Sequence, residues 1–251
     1  MSVVSVELVP FPGRGRRYVG ARRVHLGDVD GTAQLRLEAL ARFLQDVATD
    51  DADDAGLSSL GGVWVVRRVT MQIDALPCFH EQVELATFCS GIGPRWAERR
   101  TTVTTNGRAM VEAAAIWVLI DGAGGRPVPL DHEFFSIYGE SAAGRTVSSR
   151  LGHRRPPAGL PVRPWPLRAS DFDLLEHVNN ARYLEAVEDE LAARLPGRAV
   201  RRLDVEYRGA VERADEVQLT SELEETPAGA ELSVWLLAGR EVRMSAVVTA
   251  S

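Results

Sequence analysis

The chain has 251 residues, enough for one large or two small domains, with 45% hydrophobic and 25% charged residues, ordinary values for a globular protein. Its formal net charge is −6, which argues against nucleic acid as the main partner. All 29 basic residues are arginine, a composition that points to a GC-rich genome more than to chemistry. The longest apolar run, Ala113 to Ile120, is too short to span a bilayer, and residues 1–10 carry no basic stretch ahead of a hydrophobic segment. The default expectation is a cytoplasmic protein.

In chain order, Arg22 to Asp30 reads as a short strand and its exit. Leu37, Leu40, Phe43, Leu44 and Val47 then recur at helical spacing, predicting a helix from about Gln34 to Asp50. The acidic run Asp50-Asp51-Ala52-Asp53-Asp54 opposes a helix C-terminus and is expected as a solvated loop. Four strand-like stretches follow: Val63 to Ile73, Gln82 to Ser90, Trp96 to Thr105 and Ala109 to Ile120. Asn106-Gly107 supplies a hairpin turn between the last two. Cys78 and Cys89 have no metal-ligand spacing and read as two reduced core thiols.

Gly139 to Val162 is rich in Gly, Ser, Arg and Pro and reads as a linker. It divides an N-terminal unit (1–138) from a C-terminal unit (163–251). After it the order repeats, with a strand at Arg163 to Arg168 and a helix at Asn180 to Leu195. Strands follow at Val200–Tyr207, Glu216–Leu223, Glu231–Leu237 and Val242–Thr249. Asp171-Phe172-Asp173 echoes Asp28-Val29-Asp30, each pair between a strand and a helix. One helix followed by antiparallel strands, twice, predicts an α+β fold in which each sheet wraps a helix. Two such units can pair their sheets as a fused dimer does, and the layout leaves a homodimer of the whole chain open.

The densest chemistry lies between Asp171 and Leu184. Asn179 or Asn180 can cap the second helix, leaving its first amides free to polarise a carbonyl. His177 sits beside that end as a candidate general acid or base, and Asp173 is placed to orient its ring. The same pattern also serves as a plain helix-capping turn with an exposed histidine.

The stretch Asp171-Phe172-Asp173…His177-Val178-Asn179-Asn180…Tyr183 resembles the acyl-ACP thioesterase signature Asp-x-Asp-x-Asn-x-His-Val-Asn-Asn followed by Tyr. Phe43-Leu44-Gln45-Asp46, Trp64-Val65-Val66-Arg67-Arg68, Trp117-Val118-Leu119-Ile120-Asp121 with Arg126-Pro127-Val128, and Val205-Glu206-Tyr207-Arg208 resemble further family segments in order. The resemblance implies a double hotdog fold and hydrolysis of a fatty acyl thioester carried by acyl carrier protein or CoA, with no metal or redox cofactor. It places Asp173 and His177 on catalytic positions. Asn179, Asn180, Trp64, Gln45 and Asp46 become candidate substrate-binding residues, with an acyl pocket near the first helix and Trp64. Two family positions differ: the catalytic asparagine falls on Leu175, and the late acidic residue on Ala210. Glu212, displaced from that position, would face the other side of a strand. Asp46 and Gln45 are the substitutes nearest in pattern. The resemblance also implies a basic docking surface, for which Arg95, Arg99, Arg100, Arg145, Arg150, Arg154 and Arg155 are candidates. The alternative function is a non-catalytic acyl-thioester or fatty-acid binder. A hydratase ranks last, because its Asp and His usually stand one residue further apart.

Overall fold

Period-two alternation from residue 62 onward builds an antiparallel sheet whose apolar face is covered by helices. The computed structural model describes residues 6–57, 62–122, 125–227 and 229–251. The strands are β1 (Tyr18–Arg23), β2 (Gly62–Ile73), β3 (Gln82–Ile92), β4 (Trp96–Thr105), β5 (Arg108–Asp121), β6 (Arg163–Pro164), β7 (Val200–Tyr207), β8 (Val217–Thr226), β9 (Gly229–Ala238) and β10 (Glu241–Ala250). They form one ten-stranded sheet in the order β1-β3-β4-β5-β2-β7-β10-β9-β8-β6. Five strands lie on either side of the β2–β7 contact, and the order on one side mirrors that on the other.

Helix α1 (Leu37–Asp54) lies on the first half, and α3 (Tyr183–Arg194) on the second. Leu40, Phe43, Leu44 and Val47 of α1 join Tyr183, Leu184 and Val187 of α3 in one core. Val69, Met71, Val205, Val234 and Ala246 supply its sheet side. A short helix, α2 (His132–Tyr138), has no counterpart in the sequence expectations, because seven residues are too few to show a helical period. Its residues Phe134 and Tyr138 form a second small cluster with Leu57, Cys89 and Leu130.

The two Asp-x-Asp turns share a hydrogen-bond pattern. Asp28 Oδ2 accepts from His25 N at 2.9 Å, and Asp171 Oδ2 from Arg168 N at 2.6 Å. Asp30 N donates to Gln34 O, and Asp173 N to His177 O, each at 2.9 Å. Ala33 and Glu176 both take positive φ, 66° and 59°. Leu35 N donates to Pro77 O, and Val178 N to Val211 O.

The segment 139–162 is strapped to the outer face of the sheet. Arg68 donates to the carbonyls of Arg150 and Ser148, His153 N donates to Glu206 at 3.1 Å, and Trp235 Nε1 donates to Arg154 O at 2.9 Å.

Three expectations are corrected. Helix α1 begins at Leu37 and continues through the acidic run to Asp54. Asp51, expected in solvent, is wholly buried. Its carboxylate accepts from Arg16 Nε at 2.6 Å, Arg99 Nη1 at 2.5 Å and Tyr138 OH at 2.8 Å. Two guanidinium groups and a phenol, brought from the N-terminal segment, β4 and α2, offset both the burial and the adverse helix dipole. Cys78 is exposed rather than in the core, Cys89 is buried, and both are free thiols.

Asp51→Ala leaves Arg16 and Arg99, both half-buried, without their shared carboxylate and Tyr138 without its acceptor, though Arg16 keeps Asp54. Urea unfolding should show a loss of about 3–5 kcal/mol. A loss under about 1 kcal/mol, the range of an exposed pair, would mean the network is solvated.

Candidate functional site

The turn between Asp171 and Asn180 is held by its own backbone. Phe172 bridges Val178, Asp173 Oδ1 accepts from Leu175 N at 2.9 Å, and His177 bridges Glu212 through the main chain. Asn179 Oδ1 accepts from Ala181 N at 3.0 Å, and Asn179 O accepts from Arg182 N at 2.9 Å. Asn179 therefore caps the approach to α3, which starts at Tyr183 rather than at Asn180. The capping takes up the amides of Ala181 and Arg182 that were expected to be free for a carbonyl. Tyr207 OH donates to Asn180 O at 2.9 Å, and Val211 N donates to Tyr183 OH at 3.1 Å. Burial pushes both phenols well above the usual tyrosine range, so both stay protonated.

Asp173 does not orient the imidazole as expected. Its carboxylate caps the turn instead, and among the described residues no hydrogen bond reaches the His177 ring.

His177 opens on a cleft of about 830 Å³. Asp173, Leu175, Asn180, Tyr183, Tyr207 and Ala210 line it on the His177 side. Val63, Val65, Arg67, Trp96, Val118 and Ile120 line the other wall. The cleft follows from unequal strand lengths. β2 pairs with β5 from Gly62 to Ile73 but with β7 only from Arg68 to Gln72. β7 ends at Tyr207, and the notch beyond it is the cleft. A much smaller void, about 30 Å³, adjoins it across Val66, Asn180 and Tyr207 and lies under α1 against Leu44, Gln45, Met71, Arg99 and Trp117. The space beneath α1 is thus almost filled by side chains, where a long apolar pocket was expected.

The other sequence candidates scatter. Gln45 lines the small void together with Asn180. Trp64 does not line the cleft. Val63 and Val65 occupy that wall, and Trp64 packs on Phe134 with ring centroids 5.5 Å apart. Asp46 pairs with Arg22 at 2.6 Å in a separate groove with Phe43 and Leu85, so it is no substitute base. Leu175 and Ala210 both reach the cleft as apolar side chains, and Leu175 is 37% exposed. Ala210 lies in a loop past the end of β7, not in a strand. Glu212, in that loop, is exposed and outside the cleft lining.

The expected basic patch is mostly internal ion pairs. Arg99 is held by Asp51, Arg100 by Glu112 at 2.6 Å, Arg145 by Glu98, and Arg154 by Glu222 at 2.5 Å. Arg95 remains at the cleft.

Glu188, on α3, was not singled out by sequence. Its Oε1 accepts from Leu37 N at 2.5 Å, capping α1 across the core. Burial pushes it up to about 7, offset in part by the amides of Leu37 and Glu38 and by the Arg36 charge. A lone glutamate in a polar run carries no sequence signal for such a contact.

The chain matches the family model of the acyl-ACP thioesterase N-terminal domain over residues 15–138 and that of the C-terminal domain over residues 160–246. An uncharacterized protein of Mycobacterium tuberculosis is 25% identical over 219 residues, 87% of this chain and 88% of its own length. The crystal structure of an acyl-ACP thioesterase from Bacteroides thetaiotaomicron is similar with a TM-score of 0.78 and 21% identity, covering 94% of this chain and 98% of that one. The 12:0-ACP thioesterase from Umbellularia californica gives a TM-score of 0.80 at 16% identity, covering 96% of this chain and 99% of that one. At those identities the structural likeness speaks for the double hotdog fold alone.

Glu188 generates a pH prediction. Its folded-state pKa lies above its unfolded one, so its favourable contribution is complete below about 4.5 and fades as pH rises through about 7. Unfolding measured at pH 5 and pH 8 should show a decline in the parent that Glu188→Gln reduces. The same decline in both proteins would assign the pH dependence to other groups.

Proposed function

The chain belongs to the acyl-ACP thioesterase family, and from that premise we propose that His177 and Asp173 carry its chemistry in the cleft beside β2. Membership makes it a thioester hydrolase acting on fatty acyl thioesters. Acyl-ACP is the proposed main substrate, with acyl-CoA as the second carrier.

In the proposed reaction the thioester carbonyl lies against the side-chain amide of Asn180, which lines both the cleft and the small void under α1. Asn180 replaces the helix-start amides, which Asn179 occupies. His177 removes a proton from water, the resulting hydroxide adds to the carbonyl carbon, and the oxyanion is stabilised by Asn180. When the C–S bond breaks, the imidazolium returns its proton to the thiolate, giving a free fatty acid and a thiol. Asp173, in the same turn, acts by its negative charge on the imidazolium, because its Oδ1 is engaged with the Leu175 amide and, among the described residues, no hydrogen bond joins its carboxylate to the ring. The observation that carries this reading is His177 on the wall of a cleft of about 830 Å³ with Asp173 and Asn180 beside it.

Leu175 and Ala210 favour a second reading, an acyl-thioester binder without turnover. Both point into the cleft where the family resemblance calls for an amide and a carboxylate. A missing group of that kind costs roughly 2–4 kcal/mol of transition-state stabilisation.

A chain-length series of acyl thioesters, with released thiol followed, tests the first reading. Slow hydrolysis should fall about 100-fold or more in His177→Ala while acyl binding is kept. Binding on every chain length with no hydrolysis in the parent would establish the binder.

If the loop past β7 keeps the family's backbone course, Leu175→Asn with Ala210→Glu should raise kcat about tenfold or more. An unchanged or lower kcat in a folded double variant would show that these positions no longer address the reacting carbonyl.

A further inference from the structure

One wall of the cleft is an incomplete sheet. Residues 62–66 of β2 pair with β5 on one side, Arg67 sits in a bulge of that pairing, and none of the six has a β7 partner on the other side, since the β2–β7 register begins at Arg68. Among the described residues no isolated bridge covers them. In a strand the N–H and C=O of alternate residues point to the same side, so about half of these residues offer a donor and an acceptor to the open edge. The edge is roughly 20 Å long at about 3.3 Å per residue. Open edges are normally covered, shortened or blocked by charge. This one is left open inside a cleft, facing the His177 turn and Arg208, Gly209 and Ala210.

The same wall carries two arginines, Arg67 and Arg95, with Asp121 at the end of β5. Arg67 donates to Tyr207 O at 3.3 Å and makes no ion pair among the described residues. Burial and the neighbouring Arg208 both weigh against its charge. Arg95 lines the cleft, exposed, and also has no carboxylate partner among the described residues. A strand edge asks for an extended chain bearing amides, and two unpaired guanidinium groups ask for an anion.

We propose that the phosphopantetheine arm of the thioester lies along residues 62–67 of β2 as an added strand, its amides hydrogen-bonded to the β2 main chain and its phosphate held by Arg67 and Arg95. This rests on the thioesterase reading and names which part of the substrate the chain recognises. The arm leads the thioester to His177. A plain alkyl thiol would leave the edge donors and acceptors unpaired, so the arm site favours carriers that bear its amides.

The full chain, labelled with nitrogen-15, is titrated with 4′-phosphopantetheine and with pantetheine, neither bearing an acyl group. Amide shifts should concentrate in residues 62–67, and affinity should fall about fivefold or more when the phosphate is absent or when Arg67→Gln is used. In parallel, acyl-pantetheine is compared with the same acyl group on a simple alkanethiol. KM should rise about tenfold on the amide-free thiol with little change in kcat, as expected for uniform binding. Hydrolysis that shows no preference for the amide-bearing thiol, or shifts that map elsewhere, would overturn the arm site while the hydrolase reading stands. Shifts at residues 62–67 without hydrolysis of any thioester would support the arm site and overturn the hydrolase reading instead.

Discussion

The junction between β2 and β7 is the contact on which the rest depends. It covers five residues of β2, from Arg68 to Gln72, and among the described residues is the only strand pairing between the two halves of the sheet. A buried hydrogen bond from Thr70 Oγ1 to Asp204 Oδ1 at 2.6 Å crosses it, and Arg202 satisfies the second oxygen of Asp204 at 2.6 Å. A carboxylate left unpaired there would be costly, so this polar seam fixes the register more firmly than apolar contacts would. Because the junction is short, β2 overshoots β7, and the overshoot makes the cleft. Extending the pairing by a few residues would tighten the sheet and erase the site. Helix α3 and its capping turn then stand opposite the overshoot and bring His177 to it.

Much of this was legible in the sequence. Alternation placed β4 and β7 at their observed bounds and most other strands within a few residues, since side-chain period is a local property. The Asp-x-Asp echo was legible for the same reason, as each turn is closed by its own residues. The errors are long-range. Asp51 reads as one more acid in a run, and only the arrival of Arg16, Arg99 and Tyr138 from three separate elements makes it a buried anchor. Trp64 and Asp46 carried family patterns but sit away from His177, because a pattern does not say which wall of a notch a residue will face. Glu188 left no trace at all, since its partner is a main-chain amide far away in the chain.

The site itself combines a kept scaffold with altered chemistry. The hydrogen bonds of the turn, the cap by Asn179 and the tyrosines behind it depend on backbone shape. Leu175 and Ala210 depend on none of it and project into the cleft from exposed positions. Substitution there leaves folding nearly untouched while changing the energy of a bound carbonyl. Such positions can alter while the protein stays fully stable.

The paired turns carry one more implication. They share their main-chain bonding, yet Gln34 stands where the other holds His177. In an assembly of two identical subunits, any substitution at such a place is made in both copies at once. Joining the copies in one polypeptide removes that coupling. One turn is free to become a purely mechanical clasp, with Glu188 drawn in to tie it to the opposite helix. The other retains its ionisable side chain. Selection can then act on load-bearing and on chemistry separately, a division of labour that strict symmetry forbids.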